Sequence, residues 1–141
     1  MKHRAEGFTL AEIVVIVVII AVLAAFAVPK LLASTERCKA AEAFEYLTAV
    51  RAAQERFHMR RGIYAQDLGL LKVRLPAPGD FVAGKITAGP TGSLKHSWSL
   101  TLTRLSPTAG YSDYTVTFTH EGFDQGASTI SDHRDINPMQ M

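Results

Sequence analysis

At 141 residues and a formal net charge of +2, the chain has room for one small domain of its own core beyond an apolar amino end. Charge is near balance and no long block of Lys or Arg occurs, so the electrostatic footprint of dedicated nucleic-acid binding is missing. The single cysteine, Cys38, excludes an intramolecular disulfide, a cysteine-based zinc cluster and a CxxCH haem attachment, so the end of the chain must be fastened non-covalently or by a metal ion.

Lys2 and Arg4 precede an apolar run, residues 8–28, in which Glu12 is the one charged side chain. As a helix this run is about 32 Å long, enough to cross a bilayer. In lipid the backbone must satisfy its own hydrogen bonds, so a single span is expected to be helical despite its many Val and Ile residues. The flanking Lys2 and Arg4 orient the amino end toward the cytoplasm, leaving the bulk of the chain outside. An acid at bilayer depth costs about 2.5–3.5 kcal/mol on insertion scales and calls for a partner. A cut between Gly7 and Phe8 would supply one, because the new α-amino group on Phe8 would stand four residues from Glu12. Two plainer readings compete. Ala25-Phe26-Ala27 imitates a signal-peptidase site, but an acid at the front of the apolar region fits a secretory signal poorly. A simple anchor for an unrelated domain accounts for the hydrophobicity and leaves the Gly7-Phe8 junction and Glu12 as coincidences.

Pro29 removes one helical hydrogen bond and disfavours the α conformation at Val28, which predicts a kink without requiring a break. From residue 30 to about 61 no further Pro and no Gly occur. Leu31, Ala33, Cys38, Ala41, Phe44, Leu47, Val50, Ala53 and Phe57 recur at helical spacing, with Glu36, Arg37, Lys39, Glu42, Glu45, Arg51 and Glu55 among the charged residues between them. The pattern predicts an amphipathic continuation of the membrane helix, its stripe packed on a core. Gly62 suits the position just past the helix end, and Arg60 and Arg61 suit its last turn.

The segment 62–80 reads as a connection anchored on the helix by Tyr64, Leu68 and Leu71. Residues 96–105 alternate, with Trp98, Leu100 and Leu102 on one face, and residues 114–119 repeat the pattern with Tyr114, Val116 and Phe118. These are half-buried strands joined by a turn around Pro107 and Gly110. A weaker strand is expected within residues 81–87. A long helix laid on a small antiparallel sheet is an α+β layer arrangement. The remaining stretch, 120–141, reads as a C-terminal loop in which Asp124, Asp132, His133 and Asp135 offer hard ligands that could hold calcium, against the plainer reading of a solvated polar loop. No nucleophile elbow, phosphate-binding glycine loop or HExxH stands in the chain, and the expectation is a protein that is not an enzyme.

Gly7-Phe8-Thr9-Leu10-Ala11-Glu12 closely resembles the prepilin signature of the type IV pilin and pseudopilin family. The resemblance implies residues 1–7 as a leader removed by a prepilin peptidase after Gly7, Phe8 as the N-methylated new terminus, and residues 8–29 as membrane and filament-core helix. It also implies a pilin fold for residues 30–141: helix 30–61, connecting loop 62–80, antiparallel sheet 81–119 and the C-terminal loop. Glu12 is then the acid that neutralises the Phe8 amine of a neighbouring copy, and Pro29 the proline typical of the end of the apolar run. Ala21 departs from the glycine that many such proteins carry, and Ala11 from a larger aliphatic. The implied partners are further copies of the chain in a helical filament, the peptidase, the inner-membrane assembly machinery and, before assembly, lipid. Location follows: inner membrane first, then an extracellular pilus or periplasmic pseudopilus serving motility, adhesion, DNA uptake or secretion. The alternative of a different class is a single-span or secreted periplasmic enzyme or sensor domain.

Overall fold

The computed structural model describes residues 7–140, and the expectations for Lys2 and Arg4 and for most of the leader lie outside them. One α-helix, α1 (Leu10–Arg61), dominates the chain, with Pro29 inside it and the helix unbroken there. By its contacts the chain divides after Leu32, and the two units are taken separately.

In the first unit the helix starts with a cap: Thr9 Oγ1 accepts the backbone N–H of Glu12 at 3.2 Å, satisfying one of the amide groups that a helix start leaves orphaned. The apolar side chains of residues 13–28 are exposed, as are Phe8 and Leu10. The stretch is long and apolar enough to cross a membrane, and none of it is buried. An apolar surface of this extent marks a membrane or protein contact.

In the second unit five strands form an antiparallel sheet: β1 (Phe81–Ala83), β2 (Thr87–Ala88), β3 (Trp98–Arg104), β4 (Tyr114–Thr119) and β5 (Gly122–Phe123). The order is β1-β3-β4-β5, with β2 also paired to β3. The architecture is the expected α+β one, a long amino-terminal helix with a small antiparallel sheet. The β3–β4 register sets Leu100 opposite Phe118, Leu102 opposite Val116 and Arg104 opposite Tyr114, so the period-two faces read from sequence become one continuous inner face. Trp98, Leu100, Leu102, Tyr114 and Val116 are all at most 1% exposed, and burying each large apolar side chain contributes about 1.5–3 kcal/mol. The helix answers with Ala40, Ala43, Phe44, Leu47 and Val50. Phe44 meets Phe118 edge-on with ring centroids 5.6 Å apart, one of the favoured aromatic geometries.

Four details differ from the sequence reading. Phe44, Leu47, Val50 and Ala53 of the expected helical stripe are buried, but its earlier members Leu31, Cys38 and Ala41 are exposed, and Glu36, Ala40, Ala43 and Gln54 are buried beside it. The strand expected within 81–87 is two short strands, with Gly84 outside both. A Cβ at Gly84 would stand 3.1 Å from the carbonyl oxygen of Thr101. The sheet also passes the expected limit at residue 119, because β5 pairs back onto β4. Finally, the tail is more than a loop: a 3-10 turn, Thr129–Asp132, follows β5, and Ile130 and Ile136 are fully buried in the core.

Connecting residues Tyr64 and Leu71 are buried as expected, and Leu68 is partly buried against the core. Gln54 fastens this segment by accepting from the Ala65 amide at 2.8 Å and donating to its carbonyl at 2.9 Å. Gly62 ends the helix at φ +70°, its amide bonded to the His58 carbonyl at 2.7 Å. A side chain is disfavoured at that φ, so Gly62→Ala should lower stability by about 1 kcal/mol, read as a lowered midpoint in thermal unfolding. An unchanged midpoint would show that the helix end relaxes freely.

Candidate assembly site and the buried Glu36 centre

The four residues singled out for processing and assembly all belong to the first unit. Gly7 is exposed and an added Cβ there would meet nothing within 4 Å. Phe8 is 71% exposed. Glu12 lies in the first turn of α1, exposed like its apolar neighbours, and a carboxylate there is favoured by the helix dipole. Thr9 and Glu12 have the spacing of a capping box. That Thr-x-x-Glu signal, legible in the sequence, gives the acid a second use beyond charge pairing. Pro29 sits inside the helix.

The four tail candidates do not converge. Asp124 Oδ1 accepts from the Ala127 amide at 3.1 Å, Asp135 accepts from the Tyr111 hydroxyl, His133 Nε2 lies 3.5 Å from Ser112 Oγ, and Asp132 is exposed. Among the described residues no group of three or more His, Cys, Asp or Glu side chains is placed to hold a metal ion. The tail is instead fastened by Ile130 and Ile136 and by Ser128, whose hydroxyl accepts from the Thr117 amide at 2.9 Å.

The most developed polar centre was missed in the sequence. In the sequence Glu36 reads as one of the charged residues between stripe positions, yet it is 0% exposed. Its Oε1 accepts from Arg104 Nε and from the Tyr114 hydroxyl, both at 2.8 Å. Its Oε2 accepts from Arg104 Nη2 at 3.2 Å, from the Thr108 amide at 2.9 Å and from the Thr108 hydroxyl at 2.7 Å. The guanidinium thus grips the carboxylate with both prongs, the strong geometry for such a pair. Arg104 Nη1 donates to the Asp80 and Leu105 carbonyls at 3.2 and 3.3 Å and lies 3.6 Å from the Asp80 carboxylate, which also pairs with Lys39. Burial alone would raise the Glu36 pKa, but the hydrogen bonds from Arg104, Thr108 and Tyr114 prevail and hold it at about 2. Burial, and then the adjacent carboxylate, push the Tyr114 hydroxyl well above the usual phenol range. A signal for this centre did exist. Arg104 continues the two-residue period of Trp98, Leu100 and Leu102, and a cation on a core face needs an acid.

This centre ties α1, the end of β3, the start of β4 and the loop between them to one carboxylate. Its donors are engaged with Glu36 and with the Asp80 and Leu105 carbonyls, so its contribution is structural. The first unit, by contrast, leaves an acid and an apolar surface open to a partner.

Comparison with known proteins bears on that surface. A long amino-terminal apolar helix with a small antiparallel sheet is a pilin-like α+β architecture. The prokaryotic N-terminal methylation motif matches residues 2–28. Type II secretion system core protein G of Vibrio cholerae serotype O1 is 35% identical over 69 residues, 48% of this chain and 47% of that protein. The protein of the same name from Dickeya chrysanthemi is 32% identical over 81 residues, 55% of this chain and 53% of its own length. The chain spans about half the length of these curated relatives. Motif and relatives together are consistent with the type IV pilin and pseudopilin family.

Proposed function

We propose that this chain is a structural subunit of a type IV pilus-like filament, of the secretion pseudopilus kind, anchored in the inner membrane before assembly. In this reading a prepilin peptidase cuts after Gly7 and methylates Phe8, and the assembly machinery draws the subunit out of lipid into a helical polymer. The observation that carries it is the methylation motif across residues 2–28, with Glu12 the lone acid on a fully exposed apolar helix. Packing such helices together exchanges lipid contacts for protein contacts, and in that low-dielectric core an unpaired carboxylate is costly. A Phe8 amine from an adjoining copy removes the cost and fixes the axial register. The likeness to two core proteins of type II secretion systems favours a periplasmic pseudopilus over a surface pilus.

Mass spectrometry of the amino terminus tests the reading. The expected mature chain begins at N-methylated Phe8. A chain beginning at Val28, with the apolar helix removed as a secretory signal, would refute it. An unprocessed amino terminus would point instead to a plain anchor carrying an enzyme or sensor domain.

A further inference from the structure

Among its described residues the second unit carries a basic groove and an acidic stretch that take no part in its ion pairs. Along α1 and residues 71–75 run adjoining grooves, the first about 500 Å³ in volume, rimmed by Arg56, Arg60, Lys72 and Arg74. All four are exposed. Among the described residues the ion pairs are those of Lys39 and Arg104 with Asp80 and Glu36, so none engages this rim, although Glu45 lines one end of the first groove. Lys72 is held at φ +47°, a left-handed conformation that a side-chain-bearing residue keeps only where its surroundings fix it.

The opposite cluster is the C-terminal stretch, where Glu121, Asp124, Asp132 and Asp135 outnumber Arg134, its one Lys or Arg. Three of these acids are exposed, and none makes an ion pair among the described residues. Asp135 accepts from the Tyr111 hydroxyl, in the β3–β4 loop whose Thr108 binds Glu36. Arg56 stands some way beyond Glu36 on the same helix, about 30 Å further along it at 1.5 Å per residue. The groove and the Asp135 end of the acidic stretch are therefore set well apart on the same domain.

We infer that the basic groove around Arg56 and Arg74 docks the acidic C-terminal stretch, centred on Asp132 and Asp135, of a second copy of this chain. This rests on the filament reading above and adds to it a contact between globular domains. Complementary patches at separate places on one domain give a heterologous, head-to-tail contact, the kind from which an open helical polymer is built. Charge complementarity of this kind selects partner and register and penalises a like-charged neighbour.

The test uses the full-length chain in cells that assemble it. The paired reversal Arg56→Glu and Arg74→Glu, and separately Asp132→Lys and Asp135→Lys, should each cut recovery of sheared filaments by on the order of tenfold. The four changes combined should restore recovery to within a few-fold of the parent. A second arm places Arg74→Cys and Asp132→Cys in a Cys38→Ser background, where a short bis-maleimide should yield a ladder of multimers. If the parent chain forms filaments but the combined reversal rescues nothing and no ladder appears, the contact is overturned while the filament reading stands. A cross-link only to a different protein also overturns it. A parent chain that never enters a filament overturns both.

Discussion

Glu12→Ala is expected to leave the chain in the membrane fraction while removing it from the filament. The substitution removes the one charged side chain of residues 8–28, so insertion should be unimpaired. In the filament core proposed above, the same change would leave the neighbouring Phe8 amine buried without its counter-ion. Removing one partner of a buried pair costs about 3–5 kcal/mol, and each 1.4 kcal/mol is tenfold in an equilibrium, so incorporation should fall by roughly a hundredfold or more. Glu12→Asp keeps the charge one methylene short of its place and should fall between the two. Immunoblots of membrane and sheared fractions supply the measurement. Normal incorporation of the alanine variant would mean that register is set by apolar packing alone and would remove the reason for an acid in the helix.

The second large effect belongs to the Glu36 centre. Arg104→Met should destabilise the globular unit by about 3–5 kcal/mol, because it strands a carboxylate that is 0% exposed. Replacing both partners, Glu36→Leu with Arg104→Met, should cost less than the single change, since no unpaired charge is left behind. Trp98, the one tryptophan, is buried on the sheet face that Arg104 continues, so its fluorescence reports the unfolding of the chain in detergent. The pH dependence has a definite sign. Folding lowers the Glu36 pKa from 4.5 to about 2, so its contribution is present above pH 4.5 and is lost as pH falls toward 2. The shift corresponds to on the order of 3 kcal/mol. A single substitution costing under about 1 kcal/mol, or stability flat between pH 5 and pH 2, would show that water reaches the pair.

Much of the fold was legible because its signals are local. Trp98, Leu100 and Leu102 alternate with hydroxyl residues, as do Tyr114, Val116 and Phe118, and a two-residue period has one geometric meaning. Gly62 was legible as the helix end for the same reason. The helical stripe was harder, because α1 is rich in alanine: Ala40 and Ala43 face the core while Ala41 faces out, and only tertiary packing separates them. Glu36 was misread because a lone acid at helical spacing is ordinarily solvated; its partners stand 68 to 78 residues further along the chain. Ile130 and Ile136 are isolated in a polar stretch with no period to reveal them. Of the assembly site, Gly7, Phe8 and Glu12 were visible at once, since an acid in an apolar run stands out by charge alone. The basic groove was not, because Arg56 and Arg74 are neighbours only in three dimensions.

The wide sequence separation around Glu36 also orders events during biogenesis. The carboxylate is synthesised long before Thr108, Arg104 and Tyr114, and until they arrive it stays hydrated beside a finished stretch of helix. Contacts of such long reach close late and slowly. The stretch of α1 around Glu36 can therefore form before the sheet closes over it, and a chain truncated before residue 104 would keep that helix while its carboxylate lacked every partner that buries it.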